Sequence, residues 1–190
     1  MALETRKNAS ANAPDNKIAA PQGIGMAVAF DWGLAVQILF TPIFLLLFRP
    51  SNMLKIPGID PTITGALFFI LALIVACIPA LFGEMIRSGR DWARRIQISA
   101  NIFLSLGGLV SLVNLYQSIK IGNCWPFVTE IILLIFSPLI AWRLSRPVTA
   151  QWFKAVTPVE ARKRHTGIWI FFIILWALAG GILQTIAAIK

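Results

Sequence analysis

The chain has 190 residues, of which 57% are hydrophobic and only 13% are charged, and its formal net charge is +9. An average soluble domain carries about 25% charged residues, so this composition excludes an ordinary soluble domain and indicates a protein whose solvent is lipid. A nucleic-acid-binding face would need clustered Lys and Arg on a soluble surface. Here the basic residues lie between long apolar segments, so we expect no nucleic-acid partner.

The first 24 residues are polar and rich in Ala, Asn and Lys, which predicts a disordered cytoplasmic tail. We expect no cleavable signal peptide, because no early apolar stretch ends in a small-residue cleavage site. Residues 25–190 then form a single transmembrane domain.

A membrane-spanning helix needs about 20 mainly apolar residues. Five segments meet this requirement, at residues 26–48, 61–84, 96–119, 125–143 and 167–189. The chain therefore predicts an all-α fold, a polytopic membrane helix bundle with about five transmembrane helices. Asp31 interrupts the first segment, and we interpret it as the cap of a helix over residues 32–48. Glu130 lies inside the fourth, which is the weakest of the five by composition.

The distribution of basic residues supports five spans. With five, most of the 17 Lys and Arg residues fall in the tail and in residues 84–95 and 143–166, all on one side. The opposite side holds only Arg49, Lys55, Lys120 and Lys190. The positive-inside rule then places the N-terminus in the cytoplasm and the C-terminus outside, in a bacterial cytoplasmic (inner) membrane. Removing the fourth span would abolish this asymmetry.

Four apolar residues recur at helical spacing in the polar segment before the last span: Val148, Trp152, Phe153 and Val156. This pattern predicts a short amphipathic helix in the cytoplasmic interface. The alternative is an extended loop with two anchoring aromatic residues.

The residues Thr157-Pro158-Val159-Glu160 have the form of a capping box with proline at the first helical position. They predict a last helix that begins near Pro158 and continues unbroken through the membrane, since no later proline follows.

Basic residues at the predicted helix ends are candidates for binding anionic lipid headgroups on the cytoplasmic side, where each charge contributes about 1 kcal/mol. They are Arg94, Arg95, Arg162, Lys163 and Arg164.

The inventory of reactive residues argues against catalysis. His165 is the only histidine, which excludes multi-histidine haem, copper and di-iron sites within this chain. The motifs GxSxG, HExxH and CxxC and the phosphate-binding loop do not occur. We therefore expect no enzyme, no cofactor and no metal site.

Glu130 is the candidate centre of an intramembrane polar site, since ionisable groups at membrane depth are costly and often functional. We expect it to face the bundle interior. The third span offers Asn101, Ser105 and Asn114 as polar neighbours. A structural hydrogen bond and a proton or substrate site both remain open for this carboxyl group, and ordinary helix packing remains open for the polar residues.

The segment from Ser88 to Ile98, at the start of the third span, contains several basic residues and Trp92. After the fourth span, Arg146-Pro147 is followed by Trp152-Phe153. Both resemble a pattern in small polytopic bacterial membrane proteins without assigned function. The resemblance implies a multi-span membrane fold, and it implies no activity and no site residues.

These observations favour a non-catalytic structural or accessory component of a membrane assembly, with the lipid bilayer and other membrane proteins or further copies of itself as partners. The alternative is a small transporter or an ion or proton pathway that uses Glu130 and the polar face of the third span. A membrane-embedded enzyme is least favoured, because paired carboxylates and histidines are missing.

Overall fold

The structure, a computed structural model, describes residues 21–48 and 58–189, and its regular elements in these ranges are all helices. In chain order α1 to α7 are Ile24–Phe48, Pro61–Arg87, Asp91–Lys120, Pro126–Ser145, Pro147–Ala155, Pro158–Arg164 and Ile168–Ile189. Five of them, α1 to α4 and α7, are long and apolar enough to cross a membrane. The predicted all-α bundle of five spans is confirmed, and it is consistent with a multi-pass membrane protein. Most of the predicted tail (residues 1–20) lies outside the described residues, as do Arg49, Lys55 and Lys190.

Local polar chemistry sets where α2 and α3 begin. The Asp60 carboxylate accepts a hydrogen bond of 2.8 Å from the Thr62 N–H, directly before the proline that opens α2. The third helix begins earlier than residue 96, because Asp91 in its first turn forms ion pairs of 2.8 Å with Arg94 and 2.9 Å with Arg95. Charged residues therefore extend this helix beyond its apolar part.

Helix α1 is central and packs along both α2 and α7. Small residues let α7 approach it closely, because a Cβ atom placed on Gly181 would lie 2.6 Å from the Gly33 carbonyl oxygen. Ala177 and Thr185, one turn to either side of Gly181, are buried as well. Small residues at a spacing of four therefore form the close contact between α1 and α7.

On its other side α1 packs against α2, and the contact is formed by Trp32 of α1 and Gly83 of α2. The Trp32 indole N–H donates a hydrogen bond of 3.3 Å to the Ala80 carbonyl. Its ring covers Gly83, where a Cβ atom would lie 2.7 Å from the Trp32 ring. This contact fixes the spacing between α1 and α2.

Helix α4 contains a π-helical segment, Ile132–Phe136, directly before Pro138. Proline lacks an N–H and its ring clashes with the carbonyl four residues earlier, which widens the preceding turn. The Ser137 N–H accordingly bonds to the Ile132 carbonyl, five residues back. The widened segment packs against α3 at Gly108, where a Cβ atom would lie 2.8 Å from the Leu133 Cβ atom.

One end of the bundle carries a compact core to which the short helix α5 contributes. Trp152 and Phe153 are 1% and 3% exposed and pack with residues such as Ile24, Ile86 and Leu144. The predicted short helix is therefore present. Its two aromatic residues, however, contact the protein and not the lipid, because they cover the ends of the spanning helices.

The prediction of one continuous last helix from Pro158 through the membrane is wrong. The capping box of Thr157 and Glu160 forms as predicted, but α6 ends at Arg164 and α7 begins at Ile168. Gly167 between them has φ +69°, a left-handed conformation that terminates helices. The break lets α6 lie against the end of α2, where Arg162 forms an ion pair of 2.8 Å with Glu84.

Candidate functional site

The inner face of α3 carries several of the polar residues that are buried in the bundle. Gln97, Asn101, Gly108 and Leu115 are buried, and Ser111 is half-buried. Their spacing of three, four and seven residues places them on one face of the helix. This face meets α1 near its beginning and α4 farther along.

Asp31 lies inside α1, about 10 Å along the helix from Ile24 at 1.5 Å per residue. The interpretation of Asp31 as a helix cap is therefore wrong, because the apolar residues before it are also helical. Its side chain is buried, and its Oδ1 atom accepts a hydrogen bond of 2.7 Å from the Gln97 Nε2 atom. Its Oδ2 atom has no hydrogen-bond partner among the described residues.

Asn101 lies one turn after Gln97 on α3, and with Asp31 and Gln97 it forms a buried polar cluster. It is fully buried, and its Nδ2 atom donates a hydrogen bond of 2.9 Å to the Gln97 carbonyl. Its Oδ1 atom has no partner within the described parts of the chain. The neighbouring Ser105 hydroxyl donates to the Asn101 carbonyl at 2.7 Å, so it serves its own helix.

Glu130 lies in the first part of α4 and is 5% exposed. Its Oε1 atom accepts a short hydrogen bond from the Ser111 hydroxyl of α3, while its Oε2 atom has no partner in the described residues. The prediction that Glu130 faces protein is confirmed. Its role as a transport site stays a prediction.

The four residues predicted to form one polar site are not brought together. Glu130 bonds to Ser111, whereas Asn101 bonds to Gln97 and lies roughly 15 Å from Ser111 along α3 at 1.5 Å per residue. The apolar contact of Gly108 with α4 lies between them. Asn114 is exposed on the outside of the helix.

Arg94 is not available for a lipid headgroup. Its side chain is buried, pairs with Asp91 and donates a hydrogen bond of 3.0 Å to the Leu144 carbonyl of α4. The predicted headgroup contact is therefore wrong for this residue, because its guanidinium joins α3 to α4.

The other four predicted headgroup residues lie nearer the surface. The Arg95 side chain is 67% exposed beside Asp91, and Arg162 pairs with Glu84. Lys163 is exposed, while Arg164 lies 6.0 Å from the Trp152 ring centre. Headgroup binding by these residues stays a prediction.

His165 caps the end of α6 among these basic groups. Burial lowers the pKa of its imidazole, and the nearby Arg87 and Arg164 charges lower it further, against the hydrogen bond to the Ala161 carbonyl. The side chain is therefore neutral at physiological pH and adds no charge to the basic cluster.

A cavity of about 300 Å³ opens between α1, α4 and α7. Apolar side chains such as Phe30, Ile132 and Trp176 form most of its lining, with Gln184 at one position. Neither buried carboxyl group lines it. It is a recess in an apolar surface, and it offers no polar path to Asp31 or Glu130.

Within the described residues, no group of three or more His, Cys, Asp and Glu side chains is placed to hold a metal ion. The chain matches no protein-family model, no curated protein and no solved structure.

Proposed function

We propose that this protein is a non-catalytic accessory component of a membrane assembly, and that a partner helix docks on the outward face of α3. We define that face by Phe103, Gly107, Val110 and Asn114. Phe103 and Val110 are 72% and 76% exposed, and the other two residues are exposed as well. Spacings of three and four residues place all four side by side on the helix.

The amide of Asn114 is the observation that carries this proposal. It lies six residues before the end of α3, about 9 Å along the helix from that end. A polar group facing hydrocarbon without a partner costs roughly 1–3 kcal/mol, whereas an interhelical hydrogen bond contributes about 1 kcal/mol. Two turns away, Gly107 has no atom within 4 Å of an added Cβ, so a second helix can approach closely there.

A small ion or proton pathway is the second candidate function. Two buried carboxyl groups favour it: Asp31 of α1 and Glu130 of α4 both hydrogen-bond to side chains on the inner face of α3. Each has one oxygen that lacks a partner in the described residues. The Gly108 contact with Leu133 and Leu134 separates them, and the cavity between α1, α4 and α7 is apolar. These features favour the accessory role.

We place the protein in a bacterial inner membrane with its N-terminus in the cytoplasm. This orientation follows from the basic residues, and headgroup binding by Arg95, Arg162, Lys163 and Arg164 belongs to the same proposal.

The variant Gly107→Leu tests the docking face. Because an added Cβ atom meets nothing within 4 Å at this exposed position, the substitution should leave folding intact. Replacing glycine in a helix stabilises by about 1 kcal/mol. We expect membrane proteins that co-purify with the wild-type chain in mild detergent to be lost from the variant, while thermal melting is unchanged or higher.

The control is Gly180→Leu, at a helical glycine that also has open space but lies in α7. We expect it to retain the partners. An unchanged partner set in Gly107→Leu, or a wild-type chain that purifies without any partner, would overturn the accessory role on this face.

A further inference from the structure

The Asp31–Gln97–Asn101 cluster contains two buried acceptor oxygens that no described donor reaches. They are the Oδ2 atom of Asp31 and the Oδ1 atom of Asn101. Both residues bond to Gln97, the first through its side-chain amide and the second through its backbone carbonyl. Two acceptors cannot satisfy each other, and leaving buried polar atoms without partners costs about 1–3 kcal/mol each.

We propose that Asp31 is a proton-binding site, which holds one proton at neutral pH in the folded protein. A carboxylic acid is a donor through its O–H group, whereas a carboxylate only accepts. The bound proton turns the free oxygen of Asp31 into a donor, and Asn101 Oδ1 is the acceptor in this cluster that lacks one. In this proposal, one proton gives both atoms a hydrogen-bond partner.

The charged groups on the surrounding helices do not provide a counter-ion. Asp31 is the only charged residue of α1, and α7 has none. Those on α2, α3 and α4 near this end make other contacts: Glu84 with Arg87 and Arg162, Asp91 with Arg94 and Arg95, Arg94 with the Leu144 carbonyl, and Arg143 with Gln22. The Arg143 Nε atom lacks a described partner, but no ion pair with Asp31 forms among the described residues. Glu130 bonds to Ser111, farther along α3. An ionised Asp31 would thus be a buried charge with one hydrogen bond, from Gln97, and with no counter-ion among the described residues. Proteins avoid such a charge by neutralising the group.

The same oxygens offer too little for a metal cation. Hard cations in proteins take about six or more oxygen ligands, and the cluster has two oxygens that lack a described partner. A proton needs only one donor atom and one acceptor, which is what the cluster provides.

Infrared difference spectroscopy of the full chain in lipid vesicles tests this proposal directly. At neutral pH the wild-type protein should show the C=O stretch of a protonated carboxyl group, and the band should be absent in Asp31→Asn. Glu130→Gln should retain it. Asn101→Leu should shift it, because the O–H loses its acceptor. A wild-type spectrum without an Asp31 band, or a band whose size changes with Na⁺ concentration, would overturn the proposal.

Melting in detergent as a function of pH gives an independent measurement. The proton is bound in the folded state, so wild-type stability should fall as the pH rises and the proton is released. Asp31→Asn carries a permanent N–H donor in place of the O–H, so it should fold and should lack this component of the pH dependence. An identical pH dependence in the two proteins would contradict the proposal. Neither result depends on the docking face of α3, so the proton site and the accessory role fail separately.

Discussion

At the residue scale, a carboxyl group buried in a membrane protein needs at least one hydrogen-bond donor or a proton of its own. Glu130 has one donor, the Ser111 hydroxyl, which also approaches the Gly108 carbonyl at 3.0 Å. The pair joins α4 to α3 near the end opposite to the compact core. This arrangement is sufficient for a packing role.

We expect Glu130→Gln to leave the assembly and the fold almost intact, because the amide oxygen can still accept from Ser111. The change in the free energy of unfolding should be below about 1.5 kcal/mol, the size of one net hydrogen bond. Melting in detergent measures this, with Ser111→Ala as the matched variant on the other side of the bond.

Proton flux in proteoliposomes, measured on the same samples, decides between the two candidate functions. If wild-type vesicles carry protons and Glu130→Gln vesicles do not, while both proteins fold, the accessory role gives way to the pathway. We expect no flux in either.

The direction of the Glu130 side chain is predictable from sequence, since its depth and the cost of a lipid-facing charge leave only the interior. The environment of Asp31 is not. Its partner Gln97 lies 66 positions away, and no local pattern specifies such a contact. The apolar residues 24–30 before Asp31 were the available signal that the helix begins earlier.

At the element scale, two adjacent glycines of α7 have opposite surroundings. A Cβ atom on Gly181 would lie 2.6 Å from the Gly33 carbonyl oxygen and 2.7 Å from the Val36 Cβ atom, so the backbone of α1 leaves it no room. A Cβ atom on Gly180 would meet nothing within 4 Å. Substitutions at Gly180 and Gly181 therefore distinguish the effect of close helix packing on stability from the effect of removing a glycine from a helix.

We expect Gly181→Ala to lower the melting temperature, because the two helices must move apart, at a cost of roughly 1–3 kcal/mol. Gly180→Ala should be neutral or stabilising by up to about 1 kcal/mol, since alanine favours helix. Equal melting temperatures for the two variants would mean that α1 and α7 are not in close contact.

The break between α6 and α7 illustrates what sequence does not decide at this scale. A lone glycine is tolerated within a helix at a cost of about 1 kcal/mol, so Gly167 alone predicts neither continuation nor termination. Here the ion pair of Arg162 with Glu84 and the burial of Ala161 hold α6 against the rest of the protein. These are tertiary contacts, and they favour the left-handed turn.

At the scale of the whole molecule, the two basic segments meet at one end. The hairpin after α2 and the segment from the end of α4 to the start of α7 are joined there by the Glu84–Arg162 ion pair and by the hydrogen bond from Arg94 to the Leu144 carbonyl. The loop at residues 121–125 lies at the other end of α3. The sequence-based grouping of the two basic segments on one side agrees with this geometry.

The positive-inside rule predicts that the basic end is cytoplasmic, and thiol labelling of the two ends tests this proposed orientation. Cys124 is exposed in the loop after α3 and, in the proposed orientation, reports on the outer side. For the basic end, Thr166→Cys in a Cys124→Ser background places a thiol at an exposed position.

In intact bacterial spheroplasts, a membrane-impermeant maleimide should label Cys124 and should leave the thiol at position 166 unlabelled until the membrane is opened. Cys77 lies on the apolar surface of α2, so a Cys77→Ser variant of each protein removes its contribution. The reverse labelling pattern would invert the topology and place the basic end outside, and labelling of both positions in intact spheroplasts would refute a membrane-spanning α4.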